Sequence, residues 1–132
     1  MGNAGFVRRL FEEGWNQESF AFLENTTSSE ILFSYNGART SVAPSSLPPL
    51  VAEWRSAFPD LTMNIRHLVA EDDLVAVSLT FRATHRGQWR GIEPSGAAVE
   101  VEEMMFFRFD GGLLVEMWEI FDELALQRQI QT

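Results

Sequence analysis

Between Thr62 and Asp122 the chain is written mostly in alternation, and that period of two constrains the fold more than any other feature. Met63, Ile65, His67 and Val69 alternate with Thr62, Asn64, Arg66 and Leu68. Val75, Val77, Leu79, Phe81 and Ala83 then form one apolar face that ends at His85. Val99 to Phe109 reads as a long strand, Asp110-Gly111-Gly112 as a turn, and Leu113 to Asp122 as the last long strand. The first third has a different period. Phe6, Val7, Leu10, Phe11 and Trp15 recur at helical spacing, with Arg8, Arg9, Glu12 and Glu13 opposite. Helices first and antiparallel strands afterwards predict an α+β chain.

The remaining segments fit that order. Ser19 is placed to cap a short second helix through Glu24. Ile31 to Tyr35 is strand-like, and Asn36-Gly37 is a tight-turn signal. Leu47, Leu50, Val51, Trp54 and Phe58 form a further helical stripe that Pro59 ends. Arg86 to Ala98 holds three glycines and a proline and reads as a long excursion, and Glu123 to Thr132 as one or two helical turns. A curved sheet folded around the early helices leaves an apolar interior that the helices need not fill. Such a space becomes a small-molecule pocket at about 300–1,000 Å³.

Composition removes several classes of chemistry. All ten cations are arginine, so lysine Schiff bases and a P-loop lysine are excluded. Cysteine is absent, which excludes disulfides, thiolate metal sites and cysteine nucleophiles. Two histidines are too few for a His-rich metal centre in one chain. A formal charge of -9 repels phosphate backbones, so nucleic acid is not an expected partner. No apolar run reaches membrane-spanning length, and the first residues lack the apolar stretch of a secretory signal. The expectation is a cytoplasmic protein, one domain over residues 1–132, with no cofactor and no membrane partner.

Several segments together resemble the SnoaL-like polyketide cyclases, members of the nuclear-transport-factor-2-like (NTF2-like) superfamily. They are Ala57-Phe58-Pro59-Asp60-Leu61, the run Leu68 to Val77, Thr84-His85-Arg86-Gly87 with Pro94-Ser95-Gly96, and Arg108 to Trp118. Trp15-Asn16 and Gln129-Ile130 fit the two ends of the same pattern. The resemblance implies a cone-shaped fold, with N-terminal helices packed into a curved, mostly antiparallel sheet. It also implies a polyketide-like substrate and an aspartate, here Asp122, as general acid/base. Two positions depart from the family pattern: Phe33 and Tyr35 lie on a strand that often carries histidine, and Glu103 stands where glycine is common.

The residues themselves suggest the following roles. On a strand, Leu114, Glu116, Trp118, Ile120 and Asp122 share one face, which sets Asp122 at the end of an apolar row. Desolvation there would raise its pKa and suit it to proton transfer next to a carbonyl. The alternative is a strand-end aspartate in a turn. His85 orients Asp122, donates a proton to a substrate oxygen, or anchors a loop; His67 is a core histidine or a substrate contact at the cavity edge. Arg108 either stabilises an enolate or pairs with Glu116 or Glu102 at the surface. A three-residue hairpin loop with a bulge is favoured, which puts Met104, Phe106 and Arg108 on the Trp118 side. Trp15, Tyr35, Trp89, Phe106 and Trp118 are candidates to line a flat aromatic pocket, whereas Trp54 reads as core. Glu100, Glu102 and Glu103 read as a solvated edge.

Both faces of the last two strands are apolar, and one layer of helices covers only one, so a homodimer through this sheet is expected. The favoured function is cofactor-free acid/base catalysis on a small hydrophobic molecule, an intramolecular aldol-type ring closure or a related isomerisation. The alternative is a non-catalytic ligand-binding or dimerisation module.

Overall fold

The computed structural model describes residues 1–131, and Thr132 lies outside the described residues. Helix α1 (Gly2–Arg9) runs directly into a π-helical turn, Leu10–Trp15, which carries its apolar stripe on as far as Trp15. The short helix expected after Ser19 is only a three-residue 3-10 turn, Ala21–Leu23. Glu18 just before it has a left-handed backbone (φ 53°), which breaks the helical path. Strand β1 (Thr27–Tyr35) starts four residues earlier than the sequence suggests and pairs with β2 (Ala38–Val42). Asn36 (φ 47°) and Gly37 (φ 89°) make the two-residue turn between them, both in the left-handed region that such a turn requires. Helix α2 (Leu47–Ala57) carries proline in its first turn, where no intrahelical N–H bond is lost, and stops ahead of Pro59.

The strands β3 (Thr62–Glu71), β4 (Leu74–Thr84), β5 (Ala98–Asp110) and β6 (Leu113–Phe121) complete a six-stranded sheet in the order β2-β1-β6-β5-β4-β3. All pairings are antiparallel except β1 with β6. The sheet is curved and not closed, and its concave face holds α1, α2 and the core: an NTF2-like α+β fold, as the resemblance implies. Phe11, Phe58 and Phe107 are wholly buried there. The C-terminal tail is a nine-residue helix, α3 (Glu123–Gln131), longer than expected, with Leu126 and Ile130 turned inward.

Two side-chain amides close gaps in the backbone hydrogen bonding. Asn16 pairs with the Met63 backbone in both directions, donating at 3.0 Å and accepting at 2.7 Å. Gln129 does the same for Glu100, at 2.9 and 2.8 Å, where β5 runs on past its partner β6. Each supplies the donor and acceptor that an adjacent strand would have offered. Asp60 accepts from both the backbone N–H and the hydroxyl of Thr84, each at 2.7 Å, so the turn after α2 is fastened to the end of β4.

Gly87 passes so close to α2 that a Cβ would stand 2.0 Å from the Ser56 carbonyl oxygen. Its N–H donates to the Ala57 carbonyl at 3.0 Å, so the contact cannot open without losing a hydrogen bond. Gly87→Ala is expected to cost about 1–3 kcal/mol through forced displacement, read as a lower urea midpoint at unchanged slope.

Candidate active site

A cavity of about 600 Å³ lies between α2, the β1–β2 hairpin and the inner face of β5 and β6. Six aromatic side chains, Trp15, Phe33, Tyr35, Trp54, Phe81 and Phe121, line it. A smaller chamber of about 100 Å³ adjoins it, under α1. The larger volume is in the range usual for small-molecule sites.

Two carboxyl groups, Glu103 and Glu119, line both spaces. Alternation puts them there. The inward row of β5 is Val99, Val101, Glu103, Met105, Phe107 and Phe109, every one buried and only Glu103 charged. On β6, Met117, Glu119 and Phe121 point the same way, because Met105 faces Glu119 and Glu103 faces Phe121 across the ladder. The two glutamates are therefore diagonal neighbours on one face, and their side chains hydrogen-bond. Asn36 fixes the end of β6 beside them. Its backbone N–H donates to the Glu119 carbonyl at 2.9 Å, and its side-chain amide pairs with the Phe121 backbone, 2.9 Å each way.

Burial pushes the Glu103 carboxyl well above the usual carboxylate range, and the charge and hydrogen bond of Glu119 push it further. Burial also raises Glu119, while the hydrogen bond from Glu103 works against that rise. Among the described residues no arginine forms an ion pair with either group. The two carboxyls face each other closely enough to titrate as a unit, and burial favours the protonated form of both. One end of the cavity is closed by a separate cluster. The Tyr35 hydroxyl and the Arg90 guanidinium both donate to the Glu123 carboxylate in the first turn of α3. Burial, followed by this hydrogen bond, raises the Tyr35 phenol above its ordinary value, so it remains a hydrogen-bond donor.

The residues singled out in the sequence are dispersed. Trp15 and Tyr35 line the cavity. Asp122 is exposed and caps α3, accepting from the Ala125 N–H at 3.0 Å; it is not among the cavity residues. The shared face expected for Leu114 through Asp122 is broken by a bulge between Arg108 and Phe109. Leu114 turns inward opposite Phe109, while Glu116, Trp118 and Ile120 stay on the outer face. The expected facing is present, with Phe106 opposite Trp118 and Arg108 opposite Glu116, but the loop is the two residues Gly111-Gly112 and not three, and the bulge within β6 supplies the shift. That side of the sheet, however, faces away from the cavity. There Arg108 pairs with Glu116 at 3.1 Å, and Arg39 joins the same carboxylate at 3.3 Å.

His85 is wholly buried and anchors the excursion after β4. Its Nδ1 accepts from the Ser95 N–H at 3.1 Å and lies 3.0 Å from the Ser95 hydroxyl, while its ring packs on Phe58. Its Nε2 has no hydrogen-bond partner among the described residues, so no hydrogen bond joins it to Asp122. Trp89 is buried against Trp54 and carries Arg90 over its own ring at 4.8 Å. A bulge between Ile65 and His67 reverses the facing of β3, so His67 is exposed and bonded to the Ser78 hydroxyl at 2.8 Å instead of following Met63 inward. Glu103, expected at a solvated edge with Glu100 and Glu102, is instead in the interior. A signal for it was present: Glu103 is the single charged position in an otherwise apolar alternating row.

Among the described residues no cluster of histidines and carboxylates is arranged to hold a metal ion, and no helix is long and apolar enough to cross a membrane. No curated protein matches the chain. Solved structures do. A protein from Jannaschia sp. CCS1, assigned as a SnoaL-like polyketide cyclase, is 25% identical with a TM-score of 0.85, over 98% of this chain and 92% of its own. AclR from Streptomyces galilaeus, assigned as a hydroxylase, is 25% identical with a TM-score of 0.80, over 96% of this chain and 79% of its own. IdmH from Streptomyces antibioticus, assigned as a polyketide cyclase, shares the fold at 22% identity and a TM-score of 0.83, over 98% of each chain. The model of the family described as SnoaL-like polyketide cyclase matches residues 6–130, nearly the whole length, and with the cone-shaped fold and its interior cavity this places the chain in the SnoaL-like polyketide cyclase family.

Proposed function

We propose that the chain is a cofactor-free enzyme that closes a ring, or shifts a double bond, in a polyketide-like ketone or ester, with the Glu103–Glu119 pair as its acid and base. The observation that carries this reading is the pair itself: two hydrogen-bonded carboxyls on the floor of an aromatic cavity, both held above the ordinary carboxylate range by burial. A base with a raised pKa removes a carbon acid's proton more readily near neutral pH. Glu119 takes the proton α to a carbonyl, and the hydrogen on Glu103 steadies the enolate oxygen. In ring closure the enolate carbon forms a bond to a second carbonyl carbon. The alkoxide produced takes a proton from the pair, which returns to its starting state. The cavity holds the two carbonyls in reacting geometry. Asp122, expected to do this work, is better suited to its place at the start of α3.

The test is turnover of polyketide-type keto esters, followed by absorbance and product mass, in wild type and Glu119→Gln. Ring closure or isomerisation that is lost on substitution supports the reading. Turnover that survives undiminished overturns it. Binding without any turnover favours the ligand-binding alternative.

We further propose that the outer face of the sheet seats a second copy of the chain. Met104 (59% exposed), Phe106 (52%) and Ile120 (63%) form, with Trp118, a contiguous apolar patch on the side away from α1 and α2. A patch of one chemistry on the outer face of a sheet can serve both partners of a two-fold dimer. Sedimentation at micromolar concentration should give a dimer, and Phe106→Asp a monomer with unchanged far-ultraviolet circular dichroism. A monomeric wild type refutes the proposal.

A further inference from the structure

We infer that the substrate straddles the carboxyl pair, with a flat ring system in the large chamber and a short alkyl arm of about three or four carbons in the small one. The orientation of the reacting carbonyl rests on the acid/base reading above; the two-chamber assignment rests on the cavity. The two spaces share a wall that includes Trp15, Phe33, Leu50 and both carboxyls, so the pair stands at the neck between them. Beyond the neck the surfaces differ. The large chamber presents the faces and edges of Tyr35, Trp54, Phe81 and Phe121, which suit planar rings. The small one is closed mainly by non-aromatic side chains from three directions, Leu10 of the π-helical turn after α1, Ile31 of β1, and Met105, Leu114 and Met117 of β5 and β6, with Phe6 of α1 beside them.

Size decides what the inner chamber accepts. A dry apolar hole of about 150 Å³ takes up benzene. At about 100 Å³ the inner chamber is too small for a ring but fits a propyl or butyl group. Water is poorly suited to it, because most of its lining offers no hydrogen bond. A ligand confined to either chamber would touch the pair only at its edge. A ligand spanning both brings the bond between ring and arm over the carboxyls. For an aryl alkyl ketone this puts the carbonyl oxygen at the Glu103 hydrogen, the α-methylene at Glu119 and the rest of the arm inside.

The experiment uses 2-acylnaphthalenes from acetyl to octanoyl, with binding read by quenching of tryptophan fluorescence. Trp15 and Trp54 in the cavity wall supply the signal. Affinity should rise about fourfold per methylene while the arm fills the inner chamber. It should then level or fall once the arm exceeds the space. Met117→Phe should move that break to a shorter arm and Met117→Ala to a longer one, with little change for the acetyl member. The assignment is overturned by affinity that climbs to octanoyl without a break, by affinity that ignores arm length, by no binding of any member, or by a break that neither variant moves. Exchange of the α-hydrogens in heavy water, followed by mass, reads the acid/base role separately. A break in binding without exchange would strike that role and the carbonyl's orientation and leave the two chambers standing.

Discussion

Glu119→Gln is expected to lower kcat/KM for ring closure by about 10²–10⁴, the usual worth of a positioned general base. Most of the loss should fall on kcat, because glutamine keeps the shape of the cavity floor and can still meet Glu103. Glu103→Gln removes the acid but leaves an amide that donates to Glu119, so its loss should be smaller and the alkaline limb of its pH–rate profile should change. Asp122→Asn should match wild type in turnover, since asparagine caps a helix as well as aspartate. Asp122→Ala should cost about 1 kcal/mol of stability and little activity. A large kinetic loss in Asp122→Asn, with Glu119→Gln unaffected, would reverse the assignment. Initial rates for the three variants from pH 5 to 9 decide it.

The second large effect is on stability. Both carboxyls hold their protons more tightly in the folded chain than in the unfolded one, chiefly because burial disfavours their charged forms. Between the two titrations the native state therefore binds more protons. The stabilisation from this source is fully present below the ordinary glutamate value of 4.5 and is lost as pH rises through the folded titration. The slope is about 1.4 kcal/mol per pH unit for each proton of difference. Wild type should thus lose stability in urea as pH goes from 5 to 9, and Glu103→Gln should flatten that fall and be the more stable protein at pH 9. Parallel curves for the two would mean that the pair is already ionised at pH 5. The direction runs against that of a salt-bridged carboxylate, whose stabilising effect appears as pH rises.

The order of elements was legible because it depends on local periods. A 3.6-residue stripe over Phe6–Trp15, the Asn36-Gly37 turn and the alternation of β4 each need only neighbours in sequence. The resemblance carried the rest of the architecture, and the structure gives several of its residues a physical reason. Asn16 and Gln129 stand in for absent strands, Asp60 ties Thr84, and Gly87 leaves room for the Ser56 carbonyl. What alternation could not reveal was which face looked inward, because both faces of β5 and β6 are apolar. Part of the answer depended on two bulges, one after Ile65 on β3 and one at Val115 on β6, opposite Arg108 and Phe109, each of which exchanges inside for outside along its own strand. The first turns His67 outward and the second turns Leu114 inward while Glu116 and Trp118 stay outside; along β5 the alternation is unbroken, so Phe106 and Arg108 share the outer face and Glu103 the inner one. A buried carboxyl is costly unless it is hydrogen-bonded and keeps its proton, and a lone acidic residue in an apolar row was its trace in the sequence.

Asn36 has a further consequence. Its side-chain amide both donates to the Phe121 carbonyl and accepts from the Phe121 N–H, at the end of the strand that carries Glu119. It is also followed by glycine, so no side chain shields the next peptide nitrogen from attack on that amide. Spontaneous deamidation of Asn36 would replace the donor with an oxyanion facing a carbonyl oxygen, and the repulsion would loosen the end of β6. A protein that ages in this way loses the aim of the carboxyl proposed as its base while every atom of that carboxyl is still present.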